Sequence, residues 1–144
     1  MHIFEAAVFL FYCVICFSFG KIITFRHISV IPIPGPSSVI AALSTSGLPC
    51  IKFVFEGYLP PKEIARRKYL KTLILEQRTL IFYETPHRIL ASIEDMHTIF
   101  GGQRHVTIAR ELTKKHEQNW RGTLKEVSNK INSLDLKGEF TIVI

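Results

Sequence analysis

Apolar and polar positions divide the 144-residue chain into two textures. From Ile3 to Phe19 nearly every residue is apolar, Glu5 being the interruption, and Lys21 and Arg26 follow. From Ser29 onward short β-branched or aromatic runs alternate with helical patterns, as a mixed sheet with crossover helices requires. The runs predict strands near Val30–Ile33, Lys52–Glu56, Thr79–Tyr83, His105–Ala109 and Phe140–Ile144. Helices are predicted over Ser37–Thr45, Lys62–Gln77, Pro86–Phe100 and Thr123–Leu134. Gly47-Leu48-Pro49 ends the first, Pro60-Pro61 opens the second, Pro86 suits the first turn of the third and Gly101-Gly102 stops it. The expected fold class is α/β: a mixed sheet of about five strands with flanking helices, preceded by a hydrophobic N-terminal helix.

That leader is read as residues 1–29, outside the domain of residues 30–144. Seventeen residues of helix rise about 25 Å, short of the ~30 Å hydrocarbon core. A span through residues 3–19 would need thinning of the bilayer or help from flanking residues. No cationic region precedes the apolar run, so a signal peptide fits less well. A third reading is the translated edge of a truncated or rearranged gene. The expected location is the cytoplasm, with membrane association through this segment as the alternative.

Charge adds a partner class. Eighteen basic residues face twelve acidic ones, net +6, and the whole excess lies between Gly57 and Lys130. That permits an anionic partner such as nucleic acid, since clustered cations release counterions from phosphates; a solvated basic surface would look the same. Cys13, Cys16 and Cys50 are odd in number and two sit in the apolar run, which argues against a disulfide framework. No second pair follows Cys13-x-x-Cys16 at ligand spacing, and no metal site is expected.

Four places carry candidate chemistry. Pro32-Ile33-Pro34-Gly35-Pro36-Ser37-Ser38 is a rigid corner between a strand and a helix, suited to a structural turn or to a ligand at the carboxyl end of a strand. In Thr79–Arg88 a buried-strand pattern runs into Glu84, Thr85, Pro86, His87 and Arg88. An arginine at a helix N-terminus opposes the macrodipole, so Arg88 either pairs with Glu84 or binds an anion. Ile108–Glu117 repeats the theme, ending in Arg110, Glu111, Lys114 and Lys115, and Lys137-Gly138-Glu139 precedes the terminal strand.

In order and spacing these segments, with Ala41–Pro49 and Phe55-Glu56-Gly57-Tyr58-Leu59-Pro60-Pro61-Lys62, resemble one family. From Val30 to Ile144 the chain is similar to the C-terminal half of the 16S ribosomal RNA cytidine 2′-O-methyltransferases, of the tetrapyrrole methylase superfamily. The resemblance implies an S-adenosylmethionine-dependent enzyme, usually a homodimer, acting on small-subunit ribosomal RNA. It implies cofactor contacts at Pro34, Gly35, Pro36, Ser37, Ser38 and Ala41. It also implies phosphate contacts at Arg66, Arg67, Lys68, Arg88, Arg110 and Lys114, and a general base among Glu84, His87 and Glu111. The family's N-terminal glycine-rich turn and Asp-Ala-Gly-Thr-Pro segment are not found here. That departure points to a truncated form, or to a separately encoded N-terminal half. The alternatives are a methylase of a tetrapyrrole or other small molecule, and an inactive fragment that only dimerises or binds RNA. The reading expects the proline-glycine corner and the charged strand ends to converge on one pocket.

Overall fold

The computed structural model describes residues 37–131 and 136–144. The predicted strand at 30–33, the apolar helix over 3–19 and the corner at Pro34, Gly35 and Pro36 lie outside the described residues. In chain order the elements are α1 (Ser38–Ser46), β1 (Phe53–Tyr58), α2 (Glu63–Thr72), β2 (Thr79–Glu84), α3 (Ile89–Phe100), β3 (His105–Arg110), β4 (Gln118–Thr123), α4 (Leu124–Ile131) and β5 (Phe140–Val143).

The five strands form one sheet in the order β1-β2-β5-β3-β4. β1 and β2 run parallel. β5 lies antiparallel between β2 and β3, and β4 is the antiparallel edge next to β3. The expected mixed sheet with flanking helices is what the chain forms.

Alternation along the strands sends side chains to two faces. Leu80, Phe82, Val106, Ile108, Phe140 and Ile142 face a large core completed by Leu70 of α2, Ile89, Ile93 and Met96 of α3, and Leu124, Val127 and Ile131 of α4. Ile81, Ala109 and Val143 face a smaller cluster under Val39, Ala42 and Leu43 of α1. Each fully buried Phe or Ile contributes about 1.5–3 kcal/mol by leaving water.

Ends and edges depart from the sequence reading in three places. The helix expected over 62–77 stops at Thr72, and Leu73, Ile74 and Leu75 form a turn; Leu75 is 89% exposed, so nothing there rewards another helical turn. The helix expected from Pro86 begins at Ile89, because Thr85–Arg88 first makes a turn in which the Arg88 and Ile89 N–H groups both donate to Thr85 O. Gln118–Thr123, where the pattern predicted no strand, is an edge strand. It is polar because only Trp120 turns toward the large core, while Asn119 and Arg121 occupy the other face. The helix expected from Thr123 is present from Leu124 with a reciprocal cap, Thr123 N–H donating to Glu126 Oε2 (2.8 Å) and Glu126 N–H to Thr123 Oγ1 (3.3 Å). Residues 132–134 of that prediction lie outside the described residues.

α1 is fixed to the sheet at its C-terminus, where helix carbonyls lack intrahelical donors. Thr107 Oγ1 donates to Ser46 O and Arg121 Nε to Thr45 O, each at 2.9 Å. Gly47, at φ 74, supplies the left-handed exit.

Candidate active-site edge of the sheet

Because β1, β2 and β3 point the same way, their carboxyl ends at Tyr58, Glu84 and Arg110 lie along one edge of the sheet. The first residues of β4 and β5, Gln118 and Phe140, pair with Arg110 at that same edge. Every charged strand-end segment singled out in the sequence is therefore gathered there. The two faces of the edge are chemically different.

On the α1 face the Ser38 hydroxyl donates to Tyr83 Oη at 2.7 Å, placing the start of α1 over the end of β2. Phe55 meets the Tyr83 ring edge-on at 4.8 Å between centroids, and Tyr58 lies 5.6 Å away, tilted. Tyr58 reaches that row through an irregularity in β1: pairing skips Glu56, and Gly57 takes φ 69, which glycine tolerates without a Cβ clash. Leu112 packs beside α1 in the smaller cluster. Ser37 and Ala41 are half-buried and Ser38 is exposed, so a surface of hydroxyls and ring faces lies at the start of α1.

On the opposite face Glu84 is 2% exposed, and its carboxylate lies 2.8 Å from Arg88 Nε. The Nε–H itself is aimed at Thr85 Oγ1 (3.2 Å), and Nη1 donates to Leu59 O (3.3 Å). Desolvation by burial pushes the Glu84 carboxyl above the usual carboxylate range, against the pull of Arg88, the Thr85 backbone and Arg66. Of the two readings of Arg88, the structure shows the ion pair. His87, on the same turn, is exposed.

Arg66 and Arg67 are not a matched pair of surface cations. Asp95 of α3, itself buried, accepts from both, Arg66 Nε on one oxygen and Arg67 Nε on the other, each at 2.6 Å. Arg66 is 4% exposed and also donates to Pro61 O. Where an RNA phosphate contact was expected, the guanidinium is enclosed and holds α2 to α3. Lys68 is exposed.

Arg110, Glu111 and Lys114 latch the β3–β4 loop to the residues before β5. Arg110 Nε donates to Lys137 O (2.5 Å) and Nη1 to Gln118 Oε1 (2.8 Å). Glu111 Oε1 accepts the Glu139 N–H (2.9 Å) and the Lys114 ammonium (3.0 Å), which also reaches Glu139 Oε2 (3.1 Å). The Glu139 N–H and Lys114 hold the Glu111 carboxyl below the usual range. Glu111 and Thr113 both have positive φ, 48 and 63. A β-branched residue in that region costs free energy, and such backbone concentrates at functional loops. A Cβ on Gly138, at φ 99, would stand 2.5 Å from Glu111 Cγ, so glycine is needed there.

The expectation of one pocket shared by the corner and the charged ends turns on Pro34, Gly35 and Pro36, which lie outside the described residues. Among the described residues, α1 packs on the sheet face opposite Glu84 and Arg110, so its start at Ser38 shares an edge with them and not a face. Sequence reasoning missed Tyr83, Tyr58 and Phe55 as a ring cluster and Asp95 as the anchor of two arginines. The aromatic spacing in β1 and β2 could have exposed the first; nothing in the pattern around Asp95 distinguishes it from a solvated helix position. No helix among the described residues is long and apolar enough to cross a membrane, and no group of three potential metal ligands occurs among them.

Residues 18–128 match the Tetrapyrrole (Corrin/Porphyrin) Methylases. The chain belongs to this family. Among its curated relatives, "Ribosomal RNA small subunit methyltransferase I" of Synechocystis sp. is 51% identical over 118 residues, covering 82% of this chain and 42% of that protein. The protein of the same name from Xylella fastidiosa strain 9a5c is 51% identical over 119 residues, 81% of this chain and 44% of its own. This tetrapyrrole methylase chain thus spans less than half the length of those relatives. Among solved structures it is similar to the methyltransferase CobJ, with a TM-score of 0.56 at 16% identity, covering 83% of this chain and 52% of that one. It is similar too to cobalt precorrin-4 methyltransferase, at TM-score 0.55 and 14% identity, over 85% of this chain and 54% of the other. At that identity the likeness concerns the fold of the family alone.

Proposed function

We propose that residues 30–144 are the C-terminal domain of an S-adenosylmethionine-dependent methyltransferase that methylates the 2′-hydroxyl of a cytidine in small-subunit ribosomal RNA. The observation that carries this reading is the identity of about one residue in two with proteins named as small-subunit rRNA methyltransferases, over four-fifths of the chain. The same reading carries a homodimer, and a companion half, encoded in the same or another gene, to supply the rest of the cofactor site.

The described residues fit one wall of such a site. The Ser38 and Tyr83 hydroxyls and the ring of Tyr83 offer polar contacts and a flat apolar surface to a nucleoside, and Ala41, one turn on from Ser38 in α1, is half-buried. S-adenosylmethionine, when bound, supplies a methyl group on a sulfonium. Transfer to the ribose would exchange the C–S bond for a C–O bond and would leave the hydroxyl proton to be taken by a base of this chain. Positioning of donor and acceptor supplies much of the rate.

Of the three candidate bases, Glu84 is enclosed beside Arg88, and Glu111 is committed to Lys114 and the Glu139 N–H. His87 is exposed and has no side-chain partner among the described residues, which favours it as the group that takes the proton.

Calorimetric titration of S-adenosylmethionine into the chain, alone and mixed with the separately produced N-terminal remainder of a relative, tests the cofactor assignment. Heat is expected at least in the mixture. Its absence from both would leave no basis for a methyltransferase reading.

A further inference from the structure

The helix α2 turns one face away from the protein. Arg66 and Leu70 are buried, so residues about half a turn away, Ile64, Lys68 and Lys71, point outward. Lys62, at the N-cap, shares a shallow depression with Glu63, Ile64, Ala65 and Lys68. Glu63, the acid of the helix, is taken by Arg67 (3.1 Å), and Asp95 is taken by Arg66 and Arg67. Lys62, Lys68 and Lys71 are exposed and have no carboxylate partner among the described residues.

We propose that Lys62, Lys68 and Lys71 form a docking ridge for the phosphodiester backbone of RNA, with the Arg66–Asp95–Arg67 brace holding the ridge rigid. The proposal rests on the rRNA reading above and moves the phosphate contacts of α2 off its two arginines. From Lys62 to Lys71 the helix rises about 13 Å, room for about four phosphates of one strand. Charge complementarity selects this occupant, since all acids of α2 are neutralised and three cations are left over. The face does not suit insertion into lipid. Its exposed apolar residues, Ile64 at one end and Ile74 with Leu75 in the turn at the other, form no continuous apolar strip.

The test compares the full chain with two charge-matched triple variants, Lys62→Gln/Lys68→Gln/Lys71→Gln and Arg104→Gln/Lys125→Gln/Lys130→Gln. Fluorescence anisotropy with labelled single-stranded oligonucleotides, one copied from small-subunit rRNA and one of unrelated sequence, is followed across salt concentrations. Because the α2 lysines are exposed, circular dichroism melts should show the first variant as folded as the parent. That variant is expected to bind both RNAs more weakly by a similar factor. The slope of log K against log salt should fall by about 2, roughly 0.7 for each lost contact to a single strand, while the second variant keeps most of the slope. Equal losses in the two variants, or none in the first, would overturn the ridge and leave the rRNA assignment standing. A parent chain that binds neither RNA overturns both. Loss of binding to anionic phospholipid vesicles in the first variant, with RNA binding intact, would transfer the ridge to a membrane surface and overturn the proposal.

Discussion

At the scale of single residues, Glu84 and Asp95 show two ways of burying a carboxylate. Asp95 is met by two guanidinium groups at hydrogen-bond distance, and charge-assisted pairs of that kind offset much of the desolvation cost. Glu84 has an ion pair whose N–H is aimed elsewhere, and its carboxyl is raised by burial. The sign follows from the direction. A carboxyl raised in the folded state contributes stability that is full below its unfolded value, near 4.3, and is lost as pH rises through the folded value. Glu84→Gln does not ionise and escapes that loss. Urea unfolding of parent and variant from pH 4 to pH 7 should therefore show the difference between them moving steadily in favour of Gln. A constant difference over that range would mean that Glu84 titrates no differently in the folded and unfolded chain.

Among elements, the loop from Arg110 to Gln118 holds the most unusual backbone, and its shape depends on a residue more than twenty positions away. Glu111 lies across Gly138 and accepts the next residue's N–H, so the two loops at the ends of β3 and before β5 are one unit. Gly138→Ala places a methyl group against Glu111 and forces an alanine to φ 99. The expected cost is about 1–3 kcal/mol, read as a lowered urea midpoint, with faster amide exchange at Glu139 than the loss of global stability explains. The sequence announced this place as Lys-Gly-Glu beside Ala-Arg-Glu-Leu-Thr-Lys, and the glycine signalled unusual backbone. The latch itself was not legible, because nothing in a linear pattern says which carboxylate a distant N–H will find. β4 was hidden for a related reason. An edge strand with one apolar residue in six has no periodicity to read, and it exists because β3 offers it a ladder of backbone partners. The central strands, with their runs of buried residues, were plain from the outset.

At the scale of the whole molecule, the described residues form one sheet with unequal cores on its two faces, and the same strands contribute to both. Neither core can loosen without disturbing β2, β3 and β5. Unfolding is therefore expected to be a single transition: fluorescence of Trp120, the chain's only tryptophan, which packs against the large core, should coincide with far-ultraviolet circular dichroism in urea. Separated midpoints would show that the α1 side unfolds on its own. The fold class was legible because alternation of strands and helices is a global pattern. The division of the candidate site between two faces was not, since it depends on the parity of Tyr83 and Glu84 in one strand.

The position of β5 has a consequence for biosynthesis. β1 with β2, and β3 with β4, can each begin to pair soon after they are made, but the strand that joins the two pairs is not translated until residue 143. Until then the inner edges of β2 and β3 are open templates for any stray strand. A nascent chain that stalls before Phe140 would leave the ribosome as two half-sheets without their keystone.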